Sequence, residues 1–492
     1  MNDPFKQTGR PKAELILLII LASISAFYFI TQEINCFSED GWFENRDYLF
    51  SVTFGECETH PSNIPSVAYW INKNVLILLG ISHPTREIYT AVVLHHLMLL
   101  TAGLSTFMAG RYMGLGNKAF IPTILAYSLT YASHLPHSFW PDNFTMPLLS
   151  LSILATLKGF NGGDHGGSAG LGVINGVFIG LLTIIKPTFL MIIPAMWLLG
   201  AFGRDRRGFA RYCIWNLLTV LVIMSLWMSW NMVWDKDVKY SNSLGRHLWT
   251  STSWRADKLY SGDPDYERML QSLGLRSLDR VYAWDLRDRM HSSQDPYLIE
   301  NSQDNCVFES FIRPMVFRGI IRRPDIFLEN GLSRVGRNIA KPPDMFGLQK
   351  GAYNPLNRTE RLHPIASVRR RYDGLSDNII GWLGQAYKVS VYSILIWLGM
   401  TIPACALIRY GRKEFDDLGG GYGRLLSEML AIMPYMLFLS TIFLGHFFLN
   451  SLMVGYARRY PMNTLPTIAL MMTLIGSAII NIIRKGSSRD GG

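Results

Sequence analysis

The chain has 492 residues, of which 49% are hydrophobic and only 17% charged, and it carries a formal net charge of +10. Mean hydropathy is positive, at +0.15. So little charge cannot cover a soluble surface, and the many interrupted apolar runs exceed one globular core, which excludes an ordinary soluble enzyme and points to an all-α polytopic membrane protein.

A spanning helix needs roughly 20 mostly apolar residues. About ten stretches meet that need, beginning near Leu15, Ile88, Ala119, Phe144, Leu171, Phe189, Tyr212, Val389, Leu425 and Thr464. Lys186-Pro187 interrupts the fifth. The chain then divides into an N-terminal transmembrane module over 1–233, a large extracytoplasmic region over 234–387 and C-terminal transmembrane helices over 388–492. The first module holds a sizeable loop of its own, over 32–87. Structureless loops of this length are rare, so both long segments are expected to fold over the bundle, mainly as short helices. Val67–Leu79 mixes aromatics, a lysine and aliphatics, and reads either as an interfacial amphipathic helix or as a plain buried one.

Short basic loops set the orientation. Lys6, Arg10 and Lys12 precede the first span; Arg204, Arg206, Arg207 and Arg211 follow the sixth. Arg409, Arg412 and Lys413 follow the eighth, and Arg484, Lys485 and Arg489 lie after the last. With ten spans all four clusters share one face, read as cytoplasmic together with both termini. Gln32-Glu33 follow the first span with no small-residue cleavage site, so an uncleaved anchor is expected.

Cys213 and Cys405 fall in spans and read as packing residues, whereas Cys36 and Cys57 share the first outer loop, where a disulfide and two free thiols both stay open. CxxC, HExxH and nucleotide-binding motifs are absent. The basic balance suits a membrane surface and anionic headgroups, not nucleic acid, because the arginines belong to no nucleic-acid module.

Two acidic positions remain to be explained. Asp142 stands in His134-Leu-Pro-His-Ser-Phe-Trp-Pro-Asp-Asn143, between two apolar stretches, and Glu39-Asp40 follows the first span on the same predicted side. Carboxylates at the mouth of an apolar bundle are costly to retain. The order of parts then extends: an acidic loop with Glu44, Arg46 and Asp47, then Thr59-His60-Pro61, Leu79-Gly-Ile-Ser82, Arg86, Trp140-Pro-Asp142, and finally Ala457-Arg458-Arg459-Tyr460-Pro461. This layout resembles the GT-C glycosyltransferase superfamily, in the branch of protein O-mannosyltransferases and lipid A aminoarabinose transferases.

The resemblance implies a GT-C-like bundle in which 32–87 is a first catalytic loop. It implies transfer of a sugar from a polyprenyl-phosphate carrier to an extracytoplasmic hydroxyl of a lipid, glycan or protein, with inversion, in a bacterial plasma membrane. Asp40 would be the general base, with Glu39, Glu44 and Asp47 as competitors and Asp142 orienting the acceptor. His60, Arg46, Arg458, Arg459 and Tyr460 would hold the carrier phosphate. The chain departs from the family in reading Glu39-Asp40 where an Asp-Glu pair is usual, and in the shorter stretch to Pro61. No cofactor is implied; a divalent cation is compatible with the acidic cluster.

The blander readings differ by residue. Asp142 also suits a helix N-cap, Arg458, Arg459 and Tyr460 suit interfacial anchoring, and Lys186 suits snorkelling. His95-His96 point about 100° apart on a helix, so packing or helix–helix hydrogen bonding is expected of them rather than a paired metal site. A polysaccharide polymerase or ligase, or a flippase for lipid-linked sugars, are the rival functions. A flippase would carry charges at span midpoints and internal symmetry, whereas the span centres are mostly charge-free and no symmetry is found.

Overall fold

The computed structural model describes residues 12–31, 64–81, 84–132, 142–162, 168–203, 205–235, 244–340, 382, 385–400, 421–453 and 464–487. Of these, 89% are helical and none lies in a strand. In chain order the first helices are α1 Lys12–Thr31, α2 Ile64–Leu78, α3 Pro84–Tyr112, α4 Phe120–Ala132, α5 Asp142–Asn161, α6 Ser168–Ile185, α7 Ile192–Gly200 and α8 Arg206–Asp235. There follow α9 Leu244–Thr252, α10 Ala256–Tyr260, α11 Pro264–Ser272, α12 Ala283–His291, α13 Pro296–Glu300, α14 Asn305–Arg322 and α15 Pro324–Ala340. A helix over 385–400 is α16, and α17 Gly421–Met453 and α18 Leu465–Ser487 complete the set.

A helix thus stands at each apolar stretch found in the sequence. Among the described residues four are long and apolar enough to cross a membrane: Tyr89–Tyr112, Arg206–Val233, Ser427–Asn450 and Leu465–Arg484. Their outward faces are apolar, as in Leu226 at 63% and Val233 at 76% exposed on α8, the reverse of a soluble surface. At Lys186 the chain turns extended, Pro187 opens a 3-10 turn through Met191, and α7 follows. The interrupted apolar stretch is therefore two helices, since proline cannot donate to the preceding turn.

Close packing replaces the hydrophobic effect inside such a bundle. On α6, a Cβ at Gly172, Gly176 or Gly180 would fall 2.6, 2.5 and 2.8 Å from Tyr212, Thr219 and Ile223 of α8. Only glycine lets these two backbones approach so far. Asn175, on the same helix, donates to Tyr212 Oη at 2.6 Å and Thr156 Oγ1 at 3.1 Å, tying α5, α6 and α8 through one amide.

One end of the bundle is basic. Glu14 pairs with Arg111, Asn161 Nδ2 donates to the Tyr112 carbonyl at 2.7 Å, Lys118 Nζ reaches Ser477 Oγ at 2.7 Å, and Asn481 reaches Glu428 at 3.0 Å. These contacts gather the start of α1 and α17 with the ends of α3, α5 and α18. Arg206, Arg207, Arg211 and Arg484 share that end.

Residues 244–340 build a second core, around Trp249, Tyr260, Tyr266, Phe308 and Met315. Trp249 stacks on Tyr260 at 5.0 Å. Asp-Pro pairs start two of its helices: Asp263 caps Asp265 N at 3.1 Å and Asp295 caps Tyr297 N at 2.9 Å, each with proline next in sequence. The Arg318 guanidinium forks onto Asp263 at 2.8 and 3.0 Å and reaches Asp265 at 2.7 Å. The domain sits on the far end of α17, where Ser251 Oγ donates to the Leu452 carbonyl at 2.6 Å.

Burial pushes the Asp263 carboxyl up, but the Arg318 fork and the Asp265 and Tyr266 amides outweigh it and hold it below its usual range. Hydrogen bonds from Arg268 and Ser272 hold Asp295 down to about 2. Both groups therefore stabilise the fold above about pH 4, their unfolded value; Asp295 loses that contribution as pH falls towards about 2, and Asp263 as pH falls through its own lowered value. Amide exchange in α11 and α13 is expected to quicken over that window, and unchanged protection down to pH 2 would contradict the assignment.

Candidate functional site

The end of the bundle opposite the basic one holds a layer of buried polar side chains. Glu87 near the start of α3, Asn143 and Thr145 at the start of α5, Thr188 after α6, His446 and Asn450 near the end of α17, and Thr464 and Thr467 at the start of α18 are all buried. Buried polar groups at this depth are retained only with partners, and at Asn143 and at Thr188 with His446 the partners join helices distant in sequence.

The first junction runs through adjacent histidines on α3. Ser25 Oγ of α1 lies 2.7 Å from His96 Nδ1, and Asn143 Nδ2 of α5 lies 3.3 Å from His95 Nδ1. The 100° step between neighbours sends one imidazole to α1 and the other to α5. Phe144 packs edge-on against His95 at 5.9 Å. Through Asn143 the junction fixes the start of α5, the residue next to Asp142. An apolar groove of about 230 Å³ between α1 and α3 ends on the Ser25–His96 pair, with Ala22 and Ala26 leaving the room.

The second junction centres on His446. Thr188 Oγ1 lies 3.0 Å from its Nδ1 and Asn450 Nδ2 lies 2.9 Å from its Nε2, while Phe189 stacks on the ring at 4.3 Å. Both ring nitrogens are thus engaged, one by each partner. The 3-10 turn after Lys186 is thereby locked to α17. Asn450 lies just below Leu452, which carries the helical domain, so that domain overhangs the polar end.

Asp142 is the first residue of α5, a position where the positive helix end favours a carboxylate. Glu39, Asp40, Glu44, Arg46, Asp47, His60, Arg458, Arg459 and Tyr460 lie outside the described residues, as does the side chain of Asp142. Cys36 and Cys57 do too. Among the described residues no three His, Cys, Asp or Glu side chains stand together as metal ligands.

Sequence reasoning did not single out Ser25, Asn143, Thr188, His446 or Asn450. One signal was present: His446 and Asn450 are one turn apart within the mostly apolar run Phe438–Leu452, where polar side chains on one helix face mark a helix contact. Nothing in the sequence tells that Thr188 is its partner. Compared with protein-family models, with curated proteins and with solved structures, the chain matches none.

Proposed function

We propose that this chain is an integral-membrane glycosyltransferase of GT-C type, moving a sugar from a polyprenyl-phosphate carrier to an extracytoplasmic hydroxyl with inversion. The observation that carries the reading is the buried polar layer around the start of α5, at the non-basic end of an apolar bundle and beneath a folded helical domain. An apolar bundle solvates an isoprenoid tail; a polar mouth accommodates its phosphate and sugar. In this reading the ten apolar stretches, with the 3-10 turns that precede α4 and α7 included, are the spans; the basic end and both termini face the cytoplasm, and the polar end faces outward.

The chemistry follows from the residue types. The acceptor hydroxyl attacks the anomeric carbon as the bond to the carrier phosphate oxygen breaks, and a carboxylate takes the hydroxyl proton. Asp40 has that role, with Glu39, Glu44 and Asp47 in the same loop, and Asp142 orients the acceptor. A polyprenyl phosphate leaves as an anion, so cations matter more to it than protons. Arg458 and Arg459 supply the guanidinium groups, with Arg46, His60 and Tyr460 beside them.

The test is turnover. The full chain in phospholipid vesicles, given polyprenyl-phosphate-linked sugars and a mixed hydroxyl acceptor pool, is expected to release polyprenyl phosphate. Movement of intact donor between leaflets with the sugar bond unbroken would replace the transferase by a flippase.

A further inference from the structure

The helix α15 presents three faces. Taking Gly331 as zero and about 100° per residue, Asn330 and Arg334 fall on one side and bind the helical domain. Asn330 Nδ2 donates to the Ser251 carbonyl at 2.9 Å and Arg334 to the Thr250 carbonyl at 3.3 Å. Gly331 itself faces α17, where a Cβ would collide with Leu452. On the other side, at about 60° and 100° from Gly331, stand Leu328 and Leu332, 47% and 59% exposed. Glu329 lies farther round, ion-paired with Arg255 at 2.8 Å and open to solvent.

The level of this uncovered apolar face is fixed by its neighbour. The apolar segment of α17 runs over Ser427–Asn450, so Leu452 lies only about 3 Å past its end at 1.5 Å per residue. A helix pressed on Leu452 is therefore at the membrane surface. Its leucine face flanks α17, about 60–100° round the helix from the Gly331–Leu452 contact. We propose that α15 is an interfacial helix whose Leu328–Leu332 face lies in the lipid of the adjoining leaflet, seating the helical domain in the membrane as well as on α17. The occupant is bilayer lipid because apolar surface beside the end of a span has lipid as its solvent. The inference rests on the bundle being in a membrane, not on the transferase reading, so absence of sugar transfer leaves it standing.

The experiment places a photoreactive p-benzoylphenylalanine at 328, 329 or 332 of the full chain, reconstituted in vesicles of phosphatidylethanolamine and phosphatidylglycerol. All three positions are exposed, so the substitution is tolerated. Irradiation is expected to yield lipid adducts at 328 and 332 and to lose them at 329. Adducts to a second copy of the chain or to another polypeptide at 328 and 332, equal lipid labelling at all three positions, or no lipid adduct at any of them would each overturn the proposal.

Discussion

Asp40→Asn is expected to abolish release of polyprenyl phosphate while leaving membrane insertion and monodispersity unchanged. The acceptor hydroxyl is a poor nucleophile, and a positioned carboxylate contributes about 10²–10⁴-fold to such a step. Asparagine keeps the size and loses the proton acceptor. The measurement is donor turnover at saturating acceptor, compared with Glu44→Gln and Asp47→Asn. Turnover by Asp40→Asn equal to the parent would move the base to Glu44 or Asp47, or remove proton abstraction by this loop altogether.

The second large effect concerns the helical domain. Glu309 is buried, and its carboxylate accepts Gly245 N at 2.6 Å and Arg246 N at 2.9 Å, filling the start of α9. Glu309→Ala leaves two inward-facing amides without an acceptor, a loss of about 2–6 kcal/mol in total at ~1–3 kcal/mol each. Faster exchange throughout α9 and α14 is expected, and unchanged protection would show that the cap is dispensable. Burial pushes the Glu309 carboxyl up, against the opposing pull of the two amides and Arg246. The folded state therefore holds that proton more tightly than the unfolded chain. Its contribution is full below about 4.3, the unfolded value, and is lost as pH rises through the raised value. Glu309→Gln should flatten that decline.

Hydropathy located the bundle because lipid imposes one demand, an apolar stretch long enough to cross, and α3, α8, α17 and α18 meet it. The turn at Lys186-Pro187 was legible too, since proline ends a helix whatever surrounds it. The domain over 244–340 was harder. Its helices are short, and their starts depend on Asp263-Pro264 and Asp295-Pro296 and on a carboxylate, Glu309, that is distant in sequence from the helix it caps. The 100° step argued against a paired metal site at His95 and His96 and left packing or helix–helix hydrogen bonding open; the separate helices they meet came from the structure. The pairing of Thr188 with His446 was not legible either, because 258 residues separate them and no local pattern links a threonine after a proline to a histidine in another helix. Exposed leucines on α15 carried no signal in sequence; they acquire meaning only beside Leu452.

The most direct test of the outward-facing site is sidedness. Asp40→Cys and Asp142→Cys, each in the full chain within sealed right-side-out vesicles, are exposed to a membrane-impermeant thiol reagent, with unsubstituted chain as background. Labelling of both from outside is the expected result. Labelling of one only after the vesicles are opened would put the two carboxylates across the bilayer from each other, and a common catalytic vestibule could not exist.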